Sequence, residues 1–442
     1  MTLARQQVQP IFNASLYIVW LIMLPMSGAL LTQEHLMPWF LASHVIAVIA
    51  LGTLGHRLAP VFLEKVVRFG VITTAGLSLL ALELQGHGTG CLVLMLMLGI
   101  TSAPVSLRML EYLRCCQRPV PPAALALAGG NGLALALILA PLSLQLKLAL
   151  VSVLLLCLLP RPQPPSMAQT DQVGHMGQLY IYLPFIFVFQ IVAGLMYGGM
   201  IPAYETHAIV PGLEIIFYGI GALGCLWLLR HTYPVAMLVG VLVALVAFGL
   251  WSLLPAGAGI HSAMFLMMLG AGIVDLLMLS LVLTRTDLIR AFGLGVGTLC
   301  AGILMGKLLA LILGGAAETT AFIALVLLNM AVLTLFFPWA KKHDIPTDKP
   351  APPNGPDTRA TVELPGHFAT LLSEKEQQVL LLVLMDKTYR EVAHTLAISE
   401  SSVKTYMHRI FQKTGVYRRH QLLALIRQSN AVSQPSSDPN PG

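Results

Sequence analysis

Long apolar runs, each closed by a short polar break, recur from residue 11 to residue 338. A helix needs about 20 apolar residues to cross ~30 Å of hydrocarbon. Runs of this length restrict the chain to a polytopic helical membrane body. Their continuity excludes membrane β-strands, which alternate apolar and polar residues. The expected spans are 11–31, 38–55, 67–84, 91–107, 123–141, 144–160, 179–200, 211–229, 233–254, 261–283, 291–314 and 319–338. The expected fold class is therefore all-α. It combines a helical membrane domain of about twelve spans, six plus six, with a small four-helix domain at the end of the chain.

Charge separates the two regions. Only 10% of the 442 residues are charged and 56% are hydrophobic, against roughly 25% charged in soluble domains. Residues 341–442 hold half of all Asp, Glu, Lys and Arg in under a quarter of the length. The expected domains are a membrane body at 1–340, a linker at 341–365, a DNA-binding head at 366–430 and a disordered tail at 431–442. The linker holds six prolines and few apolar residues, the composition of an extended tether.

The loop charges alternate. Arg5, Arg57, Lys65, Arg68, Arg108, Arg114, Arg118, Arg161, Arg230, Arg285, Arg290, Lys341 and Lys342 fall on one side. Glu34, Glu83, Glu205 and Glu318 fall on the other, with Lys147 as the exception. Basic loops face the cytoplasm, so both termini are expected inside, in a multi-pass protein of a bacterial cytoplasmic membrane. The first apolar run is not followed by a small-residue cleavage pattern, so no cleaved leader is expected.

Within the spans, Asp275 and Lys307 stand out, because ionisable groups at bilayer depth are costly and tend to be functional. They are expected to pair across helices, as a structural lock or as part of a site. Glu214 and Asn131, with His44, Gln190 and Tyr197, have two readings: a cavity lining, or hydrogen bonds between helices. Glycine-dense Gly129–Gly132 and Gly293–Gly306 are explained by close helix packing. Glu34, His35, Glu83, His87, Glu205 and His207 at outer loop ends are solvated loop residues or, more sharply, a pH or metal sensor. The six cysteines form no metal-type pair and are expected as small buried hydrophobes. Cys115 and Cys116, in a basic loop, also admit S-acylation.

The head shows its helices through their caps. Ser373 precedes Glu376 by three residues and Thr388 precedes Glu391 by three, two capping boxes. Ser399 caps a third helix ending near Thr414, Gly415 supplies a stop, and a last helix covers about 419–428. Val379, Leu380, Val383, Val392, Ala393, Leu396, Ile398, Val403, Met407, Ile410 and Phe411 recur at helical spacing as one core. A short helix, a tight turn and a second helix with a basic outer face make a helix-turn-helix, whose second helix enters the major groove. Lys404, Thr405, His408 and Gln412 are left facing outward. Lys donates to guanine acceptors and a Thr methyl meets a thymine methyl. Ser402, Arg409, Lys413, Arg418 and Arg419 flank them and suit phosphates. Residues 366–430 carry nine basic and five acidic side chains. That modest excess points to a homodimer on a palindromic site in double-stranded DNA.

These residues resemble the LuxR-type helix-turn-helix family. The match runs through Leu372, Ser373, Glu376, Val379, Leu380, Glu391, Val392, Ala393, Leu396, Ile398, Ser399, Ser402, Val403, Lys404, Thr405, Ile410, Lys413, Gly415 and Val416. The resemblance implies that Lys404, Thr405 and His408 face bases and that the last helix contributes to a dimer. Asp386 and Ala397 replace usual glycines, and Tyr406 replaces a usual histidine, so turn geometry and DNA preference are expected to differ from the family's pattern. The body resembles the major facilitator superfamily, through its six-plus-six topology about the break at 161–178. The turn of Gly52, Leu54, Gly55, His56 and Arg57 looks like a degenerate form of that family's loop motif. His56 stands in place of the usual acid and the later basic run is missing, which argues against an active transport cycle.

No P-loop, nucleophile–base constellation or metal-ligand spacing occurs in the sequence, so neither an enzyme nor a cofactor is expected. The function these features imply is a membrane-bound one-component transcription regulator. Its partners would be promoter DNA, the lipid bilayer, a small-molecule ligand and, at the promoter, RNA polymerase. A secondary transporter with a regulatory DNA-binding tail is the alternative, and a structural tether of DNA to the membrane is a third reading.

Overall fold

The computed structural model describes residues 5–26, 36–81, 83–84, 88–162, 176–254, 256–314, 316–343, 371–385, 387–396, 398–414 and 422. The chain divides into two compact units, Met1–Ile345 and Pro346–Gly442.

Among the described residues of the first unit, twelve helices overlap the twelve expected spans, with bounds shifted by up to about ten residues. They are α1 (Arg5–Leu21), α2 (Met37–Leu54), α3 (Pro60–Leu80), α4 (Gly88–Arg114), α5 (Val120–Leu139) and α6 (Leu144–Leu154). After the central break come α7 (Met176–Leu195), α8 (Glu214–Leu228), α9 (Tyr233–Leu253), α10 (Ala256–Leu283), α11 (Leu288–Ile312) and α12 (Ala317–His343). A π turn, Ile22–Met26, extends α1, and another, Met196–Met200, carries α7 on to Ile201–Glu205. Nine of these segments are long and apolar enough to cross a membrane, and those at Leu144–Leu158 and Glu214–Leu228 are shorter. The remaining one, α3, has 21 residues but carries Glu64, Lys65 and Arg68 in its first turns.

The halves repeat one packing pattern. In the first, α1 packs on α5, α2 on α4, and α3 on α4 and α6. In the second, six helices later, α7 packs on α11, α8 on α10, and α9 on α10 and α12. The halves meet through α2 against α11 and α5 against α8, which is the same pairing read from either side. An internal repeat of this kind places a central cavity on the axis between halves.

Glycines set the closest crossings. At Gly52 on α2, an added Cβ would run into the Cα of Gly293 on α11. Gly194 on α7 faces Gly306 on α11, and Gly130 on α5 lies against Ile18 of α1. Close backbone approach is how helices associate without a hydrophobic drive between them. Gly132 departs from the packing expectation, since open space surrounds it.

Two arginines counted among the loop charges are buried instead. Arg108, near the end of α4, is fully buried and sits 2.7 Å from Glu64 and 3.0 Å from Glu111. Arg285, just past α10, donates to the Leu281 carbonyl at 2.8 Å and to Gln178 at 3.0 Å. Both remain at the arginine-rich end, where carboxylates and carbonyls offset part of the cost of burying a guanidinium. At the same end Arg114 donates to the Thr286 carbonyl at 3.0 Å and joins the two halves.

The second unit contains α13 (Glu374–Leu384), α14 (Tyr389–Thr395) and α15 (Glu400–Thr414). The expected fourth helix, the Gly415 stop, the departures at Asp386 and Ala397, and most of the linker and tail lie outside the described residues. Eight of the eleven expected core residues are buried in one cluster, joined by Leu372 and Leu422. The other three, Leu396, Ile398 and Phe411, pack against it half-buried.

Candidate functional site

Two sites emerge, one in each unit. In the head, the start of each of the three described helices is fixed by the residue expected to cap it. The Ser373 amide donates to Glu376 at 2.8 Å, completing a capping box on α13. The Thr388 amide donates to Glu391 at 2.6 Å in a second box on α14. That bond and the Thr388 hydroxyl hold the Glu391 carboxyl below the usual carboxylate range. On α15, the Ser402 amide donates to the Ser399 hydroxyl at 3.0 Å. These bonds satisfy amides that a helix start leaves without partners, so α14 and α15 meet at a defined turn.

The register of α15 follows. Val403, Met407 and Ile410 are buried, one or two turns apart. Lys404, Thr405, His408, Arg409, Gln412 and Lys413 are exposed on its other side. The six outer side chains present two lysines, one arginine, one imidazole, one amide and one hydroxyl on a single helix face. That is a donor-rich surface of the kind that reads base edges and phosphates. Lys404 lies 2.9 Å from Glu400 one turn back, an exposed pair that is weak in water and easily exchanged for DNA. His408 and Gln412 are 3.2 Å apart. Ser402 is partly engaged at the cap, its hydroxyl 2.8 Å from that of Ser399.

Lys413 has a task that the sequence did not suggest. Its ammonium donates to Glu376 at 2.7 Å, tying the end of α15 to the start of α13. Burial by itself would raise the Glu376 carboxyl. The hydrogen bond from Lys413 and those from Ser373 outweigh it and hold the group below its usual range. The phosphate contact expected of Lys413 therefore shares its ammonium with a structural bond. Arg418 and Arg419 lie outside the described residues.

In the body, a cavity of about 270 Å³ is lined by α1, α2, α4, α5, α7, α8, α10 and α11. The outer helices α3, α6, α9 and α12 contribute nothing to its wall. All the singled-out polar residues of the spans meet there: Asp275, Lys307, Glu214 and Asn131, with His44, Gln190 and Tyr197. The expected pairing of Asp275 with Lys307 does not form. Asp275 accepts from Gln190 and from the Tyr218 hydroxyl, both at 2.8 Å. Lys307 donates to the Tyr197 carbonyl at 2.7 Å. The rotation of α10 about its axis aims Asp275 at α7 and α8, which satisfies both of its oxygens with neutral donors. Asn131 donates within its own helix to Leu127 at 2.8 Å, and His44 Nδ1 lies 3.0 Å from the Gly99 carbonyl of α4. Tyr218 was missed by the sequence reading. It lies one turn after Glu214 on α8, and that spacing was the available signal. Of the outer loop cluster, Glu34, His35 and His87 lie outside the described residues.

A multi-pass membrane body with a central cavity, joined to a helix-turn-helix with a basic outer face, defines a membrane protein with a DNA-binding domain. Residues 370–426 match the model of bacterial regulatory proteins of the luxR family. The spore germination protein GerE of Bacillus subtilis (strain 168) is 41% identical over 58 residues, which are 13% of this chain and 78% of that protein. The chain belongs to the luxR family of bacterial regulatory proteins. The body has the fold of known transporters. The human organic anion transporter MFSD10 (TETRAN) aligns with a TM-score of 0.57 at 14% identity, over 75% of this chain and 100% of that one. The nucleoside transporter NupG aligns with a TM-score of 0.50 at 15% identity, over 76% of this chain and 99% of that one.

Proposed function

We propose that this protein is a membrane-bound one-component transcription regulator. Binding of a small molecule in the cavity of the body changes how the heads engage promoter DNA. One observation carries the reading: a single chain joins a transporter-type cavity to a helix with six exposed, DNA-compatible side chains. Lys404, Thr405 and His408 contact bases. Ser402, Arg409, Arg418 and Arg419 contact phosphates, with Lys413 adding charge while it holds Glu376. The heads act as a homodimer on a palindromic site, in reach of RNA polymerase. The body lies in the bacterial cytoplasmic membrane with both termini inside, by the loop charges. The ligand must bind two states of the body unequally, because a ligand with equal affinity for both shifts nothing. This is regulation rather than enzyme chemistry.

The test compares transcript levels in the native host between wild type and the Lys404→Ala, His408→Ala double variant at native expression. Altered transcripts from a small set of genes are expected, with membrane levels of the protein unchanged. Identical transcripts across several growth conditions would turn the assignment toward the transporter, for which Asp275 and Lys307 inside the cavity are the favouring observation.

A further inference from the structure

Resting on the sensing role above, we propose that the cavity takes an amphipathic organic cation, a protonated amine on a compact apolar body. Its ammonium group is held by Asp275, and Glu214 adds a second acidic group to the same wall.

The argument starts from charge. Among the described residues, three carboxyl side chains, Glu205, Glu214 and Asp275, line the cavity together with one ammonium, Lys307. The described lining therefore holds more acidic than basic side chains. The hydrogen-bond partners of Asp275 are Gln190 and Tyr218, both uncharged. Glu214 faces the uncharged hydroxyl of Tyr204, and its Oε2 is buried without a hydrogen-bond partner. Carboxylates away from water are costly until a cation and further hydrogen bonds meet them. An ammonium group supplies both, with three donors on one positive centre. A carboxylate or phosphate ligand would add like charge to the same wall.

Geometry links the two acids. Tyr218 lies one helical turn from Glu214 on α8, and its hydroxyl donates to Asp275 of α10. Tyr218 therefore joins the α8 and α10 stretches of the wall on which the two acids lie. Tyr17, Tyr197 and Phe40 supply further aromatic lining, and aromatic faces attract a cation within about 6 Å. The rest of the wall is largely aliphatic and Met-rich, which suits an apolar body. A volume of about 270 Å³ is at the small end for a ligand pocket, which favours one ring with a short chain.

The probes are 4-phenylbutylamine, 4-phenylbutanol and 4-phenylbutyrate, identical except for a positive, neutral or negative head. Each is titrated by calorimetry into the full-length protein in lipid nanodiscs. The amine is expected to bind at least about tenfold more tightly than the other two. Asp275→Asn and Glu214→Gln are each expected to weaken it about tenfold, while Glu83→Gln, in an exposed loop, leaves it unchanged. If Asp275→Asn fails to accumulate, Glu214→Gln alone decides. Equal binding of the three probes, a preference for the acid or alcohol, or no binding of any probe overturns the proposal. The sensing role is read separately, from the DNA affinity of the same nanodisc sample. Amine binding with unchanged DNA affinity keeps the cation site and removes the sensing role. A change in DNA affinity driven by the acid does the reverse.

Discussion

Glu376 does two jobs with one carboxylate. It closes the capping box of α13 through the Ser373 amide, and it accepts the Lys413 ammonium from the far end of α15. The side chain is buried, so its charge has no water to fall back on if a partner is lost. Glu376→Ala is expected to lower the stability of the head by about 2 kcal/mol, a lost cap plus a lost charge-assisted bond. Glu376→Gln keeps the shape and costs about 1 kcal/mol. Urea unfolding of residues 346–442 measures both. The pH dependence has a definite sign. Because the folded value lies below the ordinary one, the contribution of Glu376 is fully present above the ordinary value of about 4.3. It is lost as pH falls through the lowered folded value. Glu376→Gln should remove that part of the acid transition, and an unchanged acid profile would show that the Lys413 bond does not operate in solution.

At the scale of elements, helix packing turns on where glycines face a neighbour. An added side chain at Gly52 meets the backbone of α11 at Gly293, whereas Gly132 meets nothing within 4 Å. Gly52→Leu is therefore expected to force α2 from α11 and lower the melting temperature of the full-length protein in detergent. Gly132→Ala should leave it level or slightly higher, since Ala favours the helix by up to about 1 kcal/mol. Nearly equal melting temperatures for the two variants would rule out this crossing. The sequence marked both glycines alike, because it records small residues and not what faces them. The same limit explains what was legible elsewhere. The pairs Ser373 with Glu376, Thr388 with Glu391 and Ser399 with Ser402 are three residues apart, so local chemistry revealed the caps. Asp275 and Lys307 stood out too, because an ionisable group inside an apolar span is costly, whereas Tyr218 and Glu205 did not announce their place in the cavity wall. The partners of Asp275 were not legible. Gln190 and Tyr218 lie 85 and 57 residues away, and only the mutual rotation of packed helices selects them over Lys307. Lys413 and Glu376, 37 residues apart, were hidden for the same reason.

For the whole molecule, the decisive question is which side of the bilayer holds the head, because a DNA-binding unit acts only on the side that holds DNA. The body answers through its loops. Arg57, Arg118, Arg161 and Arg230 follow even-numbered helices and Arg290 lies in the first turn of α11, at one end of the bundle, while Glu83, Glu205 and Glu318 lie at the other. The burial of Arg108 and Arg285 does not weaken this asymmetry, since both stay at the basic end. An even number of spans is expected to return the chain to the side on which it began. Fusions to a reporter that fluoresces only inside and a phosphatase that works only outside test this directly. Fluorescence without phosphatase activity is expected after Arg161 and after the full chain, and phosphatase activity after Leu84. Phosphatase activity at the full-length C-terminus would put the helix-turn-helix away from the chromosome. It would leave the cavity as a binding site with no route to transcription, however well the exposed face of α15 suits DNA.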